Sequence, residues 1–304
     1  MTGDNVLIEK ITFRNFNLTE GDGGAIRWNG NNGVLRNCKF INNTNSWGGS
    51  VAWGGVNGIL TNCIFTGNFA NYGGGLSWGG VNGTLTDCTF INNTANNRGG
   101  GVYWTSGGIN GTLTDCTFID NISNDRGGGL YWNANNGVIS SIFTNNNAKN
   151  NGGAIYLTGV NCNVSDSTFT NNTSINGGAV YWNGVNGNLI SSNFIKNTAI
   201  SGGAIHWGNA GINNTLICSS FTDNTANQGG AVYWYLGGYM VNCTFVNKKW
   251  VKNNGIYVHD DNNLTIKGGK GIVDIDIKGT LTGTSIVVLN NETYYYPPNT
   301  NIKF

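Results

Sequence analysis

The chain has 304 residues, a formal net charge of +1, 10% charged residues, 49 glycines and 2 prolines. Charges this sparse and this evenly balanced exclude a polybasic partner for nucleic acid or an anionic membrane surface. The longest apolar runs, such as Ile286 to Leu289, are far too short for a membrane-spanning helix. The polar residues are mostly Asn and Thr, yet aromatic and β-branched residues recur at fixed places, a regularity that points to order.

The first residues, MTGDNVLIEK, show no basic stretch leading into an apolar one. Ile8, Ile11 and Phe13 read as the second half of a repeat unit, so a fragment of a longer chain is the expectation. From there, glycine pairs begin at Gly23, Gly48, Gly73, Gly99, Gly127, Gly152, Gly177, Gly202 and Gly229. Their spacing, about 25 residues, is a solenoid period.

Each unit then reads in the same order. Three residues after the first glycine stands an aliphatic residue, from Ile26 and Val51 to Val232, and two further on a Trp, with Leu157 as the exception. Positions two apart share one face of a strand, so both are expected inside. The position between them varies, and its occupants Tyr103, Tyr131, Tyr156, Tyr181, His206 and Tyr233 are expected to face solvent. An Asn-Gly turn follows in many units, for example Asn57-Gly58 and Asn186-Gly187, where both residues tolerate a left-handed backbone.

A second strand carries Leu35, Leu60, Leu85, Leu113, Val138, Val164, Leu189, Leu216 and Met240. Three residues later comes a small residue, then Phe two beyond it, from Phe40 to Phe245, so the chain must bend between the two inward positions. Three short strands per period predict an all-β fold, a right-handed single-stranded parallel β-helix of about ten coils over residues 1–270. Ile256-Tyr257-Val258 and Leu264 read as a degenerate closing coil. Residues 271–304 read as a separate β-rich segment with a hairpin at Asn290-Asn291.

The paired motifs GGAI, GGSV, GGGL and GGAV with FINN, FTGN, FIDN, FTNN, FIKN and FTDN resemble the GGA(I/L/V) and FxxN repeats of chlamydial polymorphic outer membrane proteins. The Asn/Thr-rich background with its added Trp is similar to the adhesin-like surface proteins of methanogenic archaea. The resemblance covers roughly residues 6–260, and the last coil departs from it with FVNK. It implies a non-enzymatic stalk at the cell surface or outside the cell, which would contact host or cell-wall glycans or surface proteins. It also implies that residues 271–304 begin an immunoglobulin-like module.

Candidate chemistry is thin. Cys38, Cys63, Cys88, Cys116 and Cys243 share the small position with Ser141, Ser167, Ser192 and Ser219, which reads as packing, with occasional disulfides as the alternative. Asn43, Asn68, Asn93, Asn121, Asn146, Asn172, Asn197 and Asn224 read as an amide ladder. Asp87 and Asp115, with Arg98 and Arg126, are the candidates for the alternative function on this fold, a pectate-lyase-like polysaccharide lyase or glycoside hydrolase. His259 with Asp260-Asp261 reads as a turn. No catalytic residue, metal site or cofactor is expected. The row Tyr103, Tyr131, Tyr156, Tyr181, His206 and Tyr233 is the candidate binding face, since exposed rings stack on sugars.

Overall fold

The computed structural model describes residues 1–246 apart from Glu20 and Gly237. Beyond them it describes the strand segments Ile256–Val258, Thr265–Lys267, Asp274–Ile277, Ser285–Leu289, Glu292–Tyr296 and Asn301–Lys303. The strands after the glycine pairs, from Ile26–Trp28 to Ile256–Val258, stack into a 12-stranded sheet that continues through Asp274–Ile277 and Asn301–Lys303. A 21-stranded sheet takes the Leu and Phe strands of every coil, and a short four-stranded sheet joins Phe69–Tyr72, Thr94–Arg98, Ile122–Ser123 and Asn147–Ala148.

Like residues sit on like residues: Leu76 lies between Val51 and Val102, and Phe90 between Phe65 and Phe118. This is the parallel β-solenoid that the period predicts. The opening half-coil is in place, with Ile8 beside Leu35 and Phe13 beside Phe40. At the other end Ile256-Tyr257-Val258 pairs with Val232-Tyr233-Trp234. Met240 is in register with Ile266, while Leu264 lies outside the described residues. Ser285–Leu289 and Glu292–Tyr296 pair antiparallel as a hairpin whose turn residues Asn290 and Asn291 lie outside the described residues, as do His259, Asp260 and Asp261.

Each coil turns on left-handed residues, and these account for the asparagines. One column of corners is Asn32, Asn57, Asn82, Asn110, Asn136, Asn161, Asn186 and Asn213, with φ between 53° and 57°. A second is Asn37, Asn62, Asp87, Asp115, Asp166 and Asn242, and it supplies the bend between the Leu and Phe strands. The first glycine of each pair is left-handed as well, φ 67° at Gly73. A Cβ on its neighbour Gly74 would fall 2.2 Å from the Gly100 carbonyl oxygen, so the second glycine lets successive coils approach.

One coil departs from the expected register. Val138 is exposed and Ile139, fully buried, takes its place opposite Leu113. The strand Val138–Thr144 runs straight through with no left-handed residue at the second corner, so this coil is one residue shorter there.

The glycine of the Asn-Gly turn has a different job from the one its neighbour suggests. Asn57 and Asn82 adopt the left-handed conformation, and the glycines after them do not. A Cβ on Gly58 would instead lie 2.2 Å from the Trp53 indole nitrogen, and one on Gly83 equally close to Trp78. The glycine makes room for the ring. Where Leu157 replaces Trp, the turn ends in Cys162, whose thiol is buried in the freed space. Where Asn214 stands in the glycine column, Trp207 sits 6.2 Å from Trp182, against 4.3 to 5.2 Å in the adjacent Trp pairs of the other coils.

Leu157 and Cys162 therefore form a compensated pair. Leu157→Trp alone should cost about 1–3 kcal/mol through overpacking, and adding Cys162→Gly should recover most of that loss. Urea unfolding of the two single variants and the double variant measures the coupling; additive losses would contradict the pairing.

Candidate ligand-binding site

The outer side of the 12-stranded sheet holds the expected aromatic row, but packs it differently. Tyr103, Tyr131, Tyr156, Tyr181, His206 and Tyr233 lie face to face, with centroids 4.3 to 5.1 Å apart, and Tyr257 continues the stack. Tyr131 is only 4% exposed and Tyr156 5%; among the six, only Tyr181 is half-buried. The expectation of solvent-facing rings is thereby corrected. In-register strands place each ring flat on the next, so the ring faces are consumed by one another.

In two coils the residue just before the glycine pair closes over this row. The Arg98 guanidinium lies 5.1 Å from the Tyr131 ring centre and Arg126 lies 5.2 Å from Tyr156. Arg98 and Arg126 thus pack the stack. Burial pushes the phenols of Tyr103, Tyr131, Tyr156 and Tyr181 above their ordinary value, while the arginines pull Tyr131 and Tyr156 the other way.

Toward the N-terminal coils the stack stops. Ser77 and Ala52 stand where Tyr would, followed by Arg27, and the missing rings leave a cavity of about 300 Å³. Ser77 and Ala52 line its base together with Gly54 and Gly79. Trp47, Arg27, Asp22 and Thr105 stand around it. Trp47 stacks on Tyr72 with centroids 4.4 Å apart and meets Tyr103 edge-on at 5.7 Å, yet remains 38% exposed. Arg27 and Asp22 form an ion pair at 3.4 Å.

The sequence carries the signal for this cavity in the small residues at the Tyr position of two successive coils. Trp47, which lies outside the repeated Trp position, is the other half of that signal. The expected row of tyrosines and the cavity are thus neighbours on one surface, and the structure gives them opposite character, one filled and one open.

Asp87 and Asp115 occupy left-handed corners, φ 53° and 54°, in the column where Asn62 and Asn242 also turn the chain. Among the described residues, no three His, Cys, Asp or Glu side chains gather as metal ligands would. The cysteines are unpaired and all but Cys218 are buried. Burial pushes the Cys162 thiol up to about 11 and Cys243 to about 12, which suppresses the reactive thiolate.

Four segments of the chain, residues 87–103, 140–158, 166–181 and 219–233, match the Chlamydia polymorphic membrane protein repeat. These coils are similar to polymorphic membrane protein repeats. Each match joins a Phe strand to the glycine pair that follows it, so the matched motif coincides with the structural corner of the solenoid. Among curated proteins no match to the chain was found. Among solved structures it is similar to a mannuronic acid specific polysaccharide family 6 lyase from human gut microbiota. The TM-score is 0.54 and the identity 12%, covering 95% of this chain and 73% of that one, a likeness of fold.

Two outcomes follow. A phenol whose folded pKa lies above its unfolded value of about 10 keeps its stabilising contribution below pH 10 and loses it as pH rises further. Thermal midpoints should therefore fall above pH 10, and Tyr131→Phe/Tyr156→Phe should flatten that fall; an identical alkaline profile for the variant would contradict the assignment. With an aromatic disulfide reagent, Cys218 should react promptly in the native protein, and the other six of the seven thiols only in denaturant.

Proposed function

We propose that this chain is a non-enzymatic, adhesin-like segment of a cell-surface protein, a rigid stalk whose sides carry the contacts. The single observation that carries this reading is the match of four separate coils to polymorphic membrane protein repeats. The architecture suits it. Stability comes from each coil covering its neighbour, so length can be added without a new core. The partners in this reading are glycans or proteins on a facing surface.

Polysaccharide cleavage is the competing reading, and the fold likeness to a lyase is what favours it. Fold alone does not carry activity. The carboxylates that it would recruit, Asp87 and Asp115, are used to turn the chain.

The purified chain should adhere to glycan- or protein-coated surfaces and release no oligosaccharide from alginate or pectin, with or without calcium. Polymer cleavage that disappears in Asp87→Asn/Asp115→Asn would overturn the stalk reading in favour of the enzyme.

A further inference from the structure

We propose that the cavity where the tyrosine stack stops is a binding subsite for one neutral pyranose unit of a glycan. The proposal rests on the adhesive reading above, because it names a ligand class and a place on that surface. It replaces the tyrosine row as the glycan contact, since those rings have no free faces to offer.

Size comes first. A volume of about 300 Å³ is at the lower end of the roughly 300–1,000 Å³ typical of ligand sites, which suits a single sugar ring better than an extended chain. Shape comes next. Ser77 and Ala52 leave a slot one strand spacing deep per missing ring, flat because the coils on either side are in register. A pyranose ring is a slab of comparable thickness, with axial C–H bonds on its faces and hydroxyls on its rim.

The chemistry around the cavity matches that slab. Trp47 spends one face on Tyr72 and keeps 38% of its surface exposed at the cavity, an apolar platform for the C–H face of a sugar. It is held from behind by Tyr72 and from the side by Tyr103, so little side-chain entropy is lost on binding. Arg27 and Asp22 add donors and acceptors for the rim. A guanidinium has five donors and a carboxylate about four acceptor sites, so their one ion pair among the described residues, at 3.4 Å, leaves most of that capacity unused. Adjacent hydroxyls on a sugar, each both donor and acceptor, meet such a pair well.

The same pair sets the charge preference. Arg27 and Asp22 cancel each other, and their side chains are 57% and 38% exposed, so the described lining residues offer no net positive charge to favour an anion. A neutral hexose is therefore preferred over a uronate. The hydroxyls of Ser77 and Thr105, which also line the cavity, are neutral partners that fit this preference.

Saturation-transfer NMR and calorimetry with methyl β-D-glucopyranoside, methyl β-D-galactopyranoside, methyl α-D-mannopyranoside and sodium glucuronate test it, alongside adhesion of the same proteins. At least one neutral glycoside should bind, and tighter than glucuronate. Ser77→Tyr, which extends the stack into the slot, should weaken that binding at least tenfold. Arg27→Ala, which fills nothing and touches an exposed side chain, should weaken it as well and guards against a folding defect in the first variant. Absence of binding by all three neutral glycosides, tighter binding of glucuronate, or affinity unchanged in both variants would overturn the proposal. Adhesion that persists without sugar binding would leave the stalk reading standing, whereas sugar binding without adhesion would remove the stalk reading alone.

Discussion

A buried primary amide repeated at strand spacing can satisfy every one of its neighbours, and this structure depends on that property. The eight ladder asparagines from Asn43 to Asn224 are 0% or 1% exposed. The Asn146 side-chain oxygen accepts from the Asn121 backbone N–H at 3.1 Å and from the Asn121 amide at 3.0 Å. The Asn146 amide in turn donates to the Phe118 carbonyl at 3.0 Å and to Asn172 at 3.1 Å. The same pattern repeats at Asn93, Asn121, Asn172 and Asn197, and at Asn68 the Ser50 hydroxyl takes the place of the preceding amide as donor. A coil that slipped by one residue would strand all these groups in an apolar interior, where each costs about 1–3 kcal/mol. Register is thereby enforced in every coil, and the hydrophobic columns inherit it. Phe and Trp stacks then bury large apolar area without needing any further specificity.

The same register decides where binding can occur. Once strands are aligned, an aromatic side chain on the outer face has nowhere to lie except against the ring of the next coil. A long row of identical aromatics therefore closes itself, and the described cavity lies where the row is interrupted. Ser77, Ala52 and Arg27 are that interruption, and Trp47, outside the Trp column, stands beside it. In a solenoid, departures from the repeat are thus better guides to function than the repeat. The match of the repeat to polymorphic membrane proteins fits this view, because it names the scaffold and leaves the sides free to vary.

Much of the scaffold was legible in the sequence because each column keeps one chemical type. The Leu, Phe and Asn columns could be read directly, and so could the need for a bend between Leu60 and Cys63, which Asn62 supplies with φ 49°. Three things were not. Val138 and Ile139 are both aliphatic, so composition alone could not show that this coil drops its bend residue. The glycine after each corner asparagine invited a conformational explanation, although the exchange of Trp-Gly for Leu157-Cys162 pointed to packing. The tyrosines alternate with buried residues as solvent-facing positions do, and alternation reports which side of the sheet a residue is on. It is silent on whether neighbours then cover one another.

Asn146→Ala tests the central claim most directly. The variant deprives two donors of Asn121 and the Phe118 carbonyl of their partner while leaving the backbone geometry acceptable. Urea unfolding should show a loss of at least about 3 kcal/mol, against less than about 1 kcal/mol for Asn188→Thr on the half-buried outer face. Equal and small losses for the two variants would show that hydrophobic stacking alone sets the register, and would contradict the account.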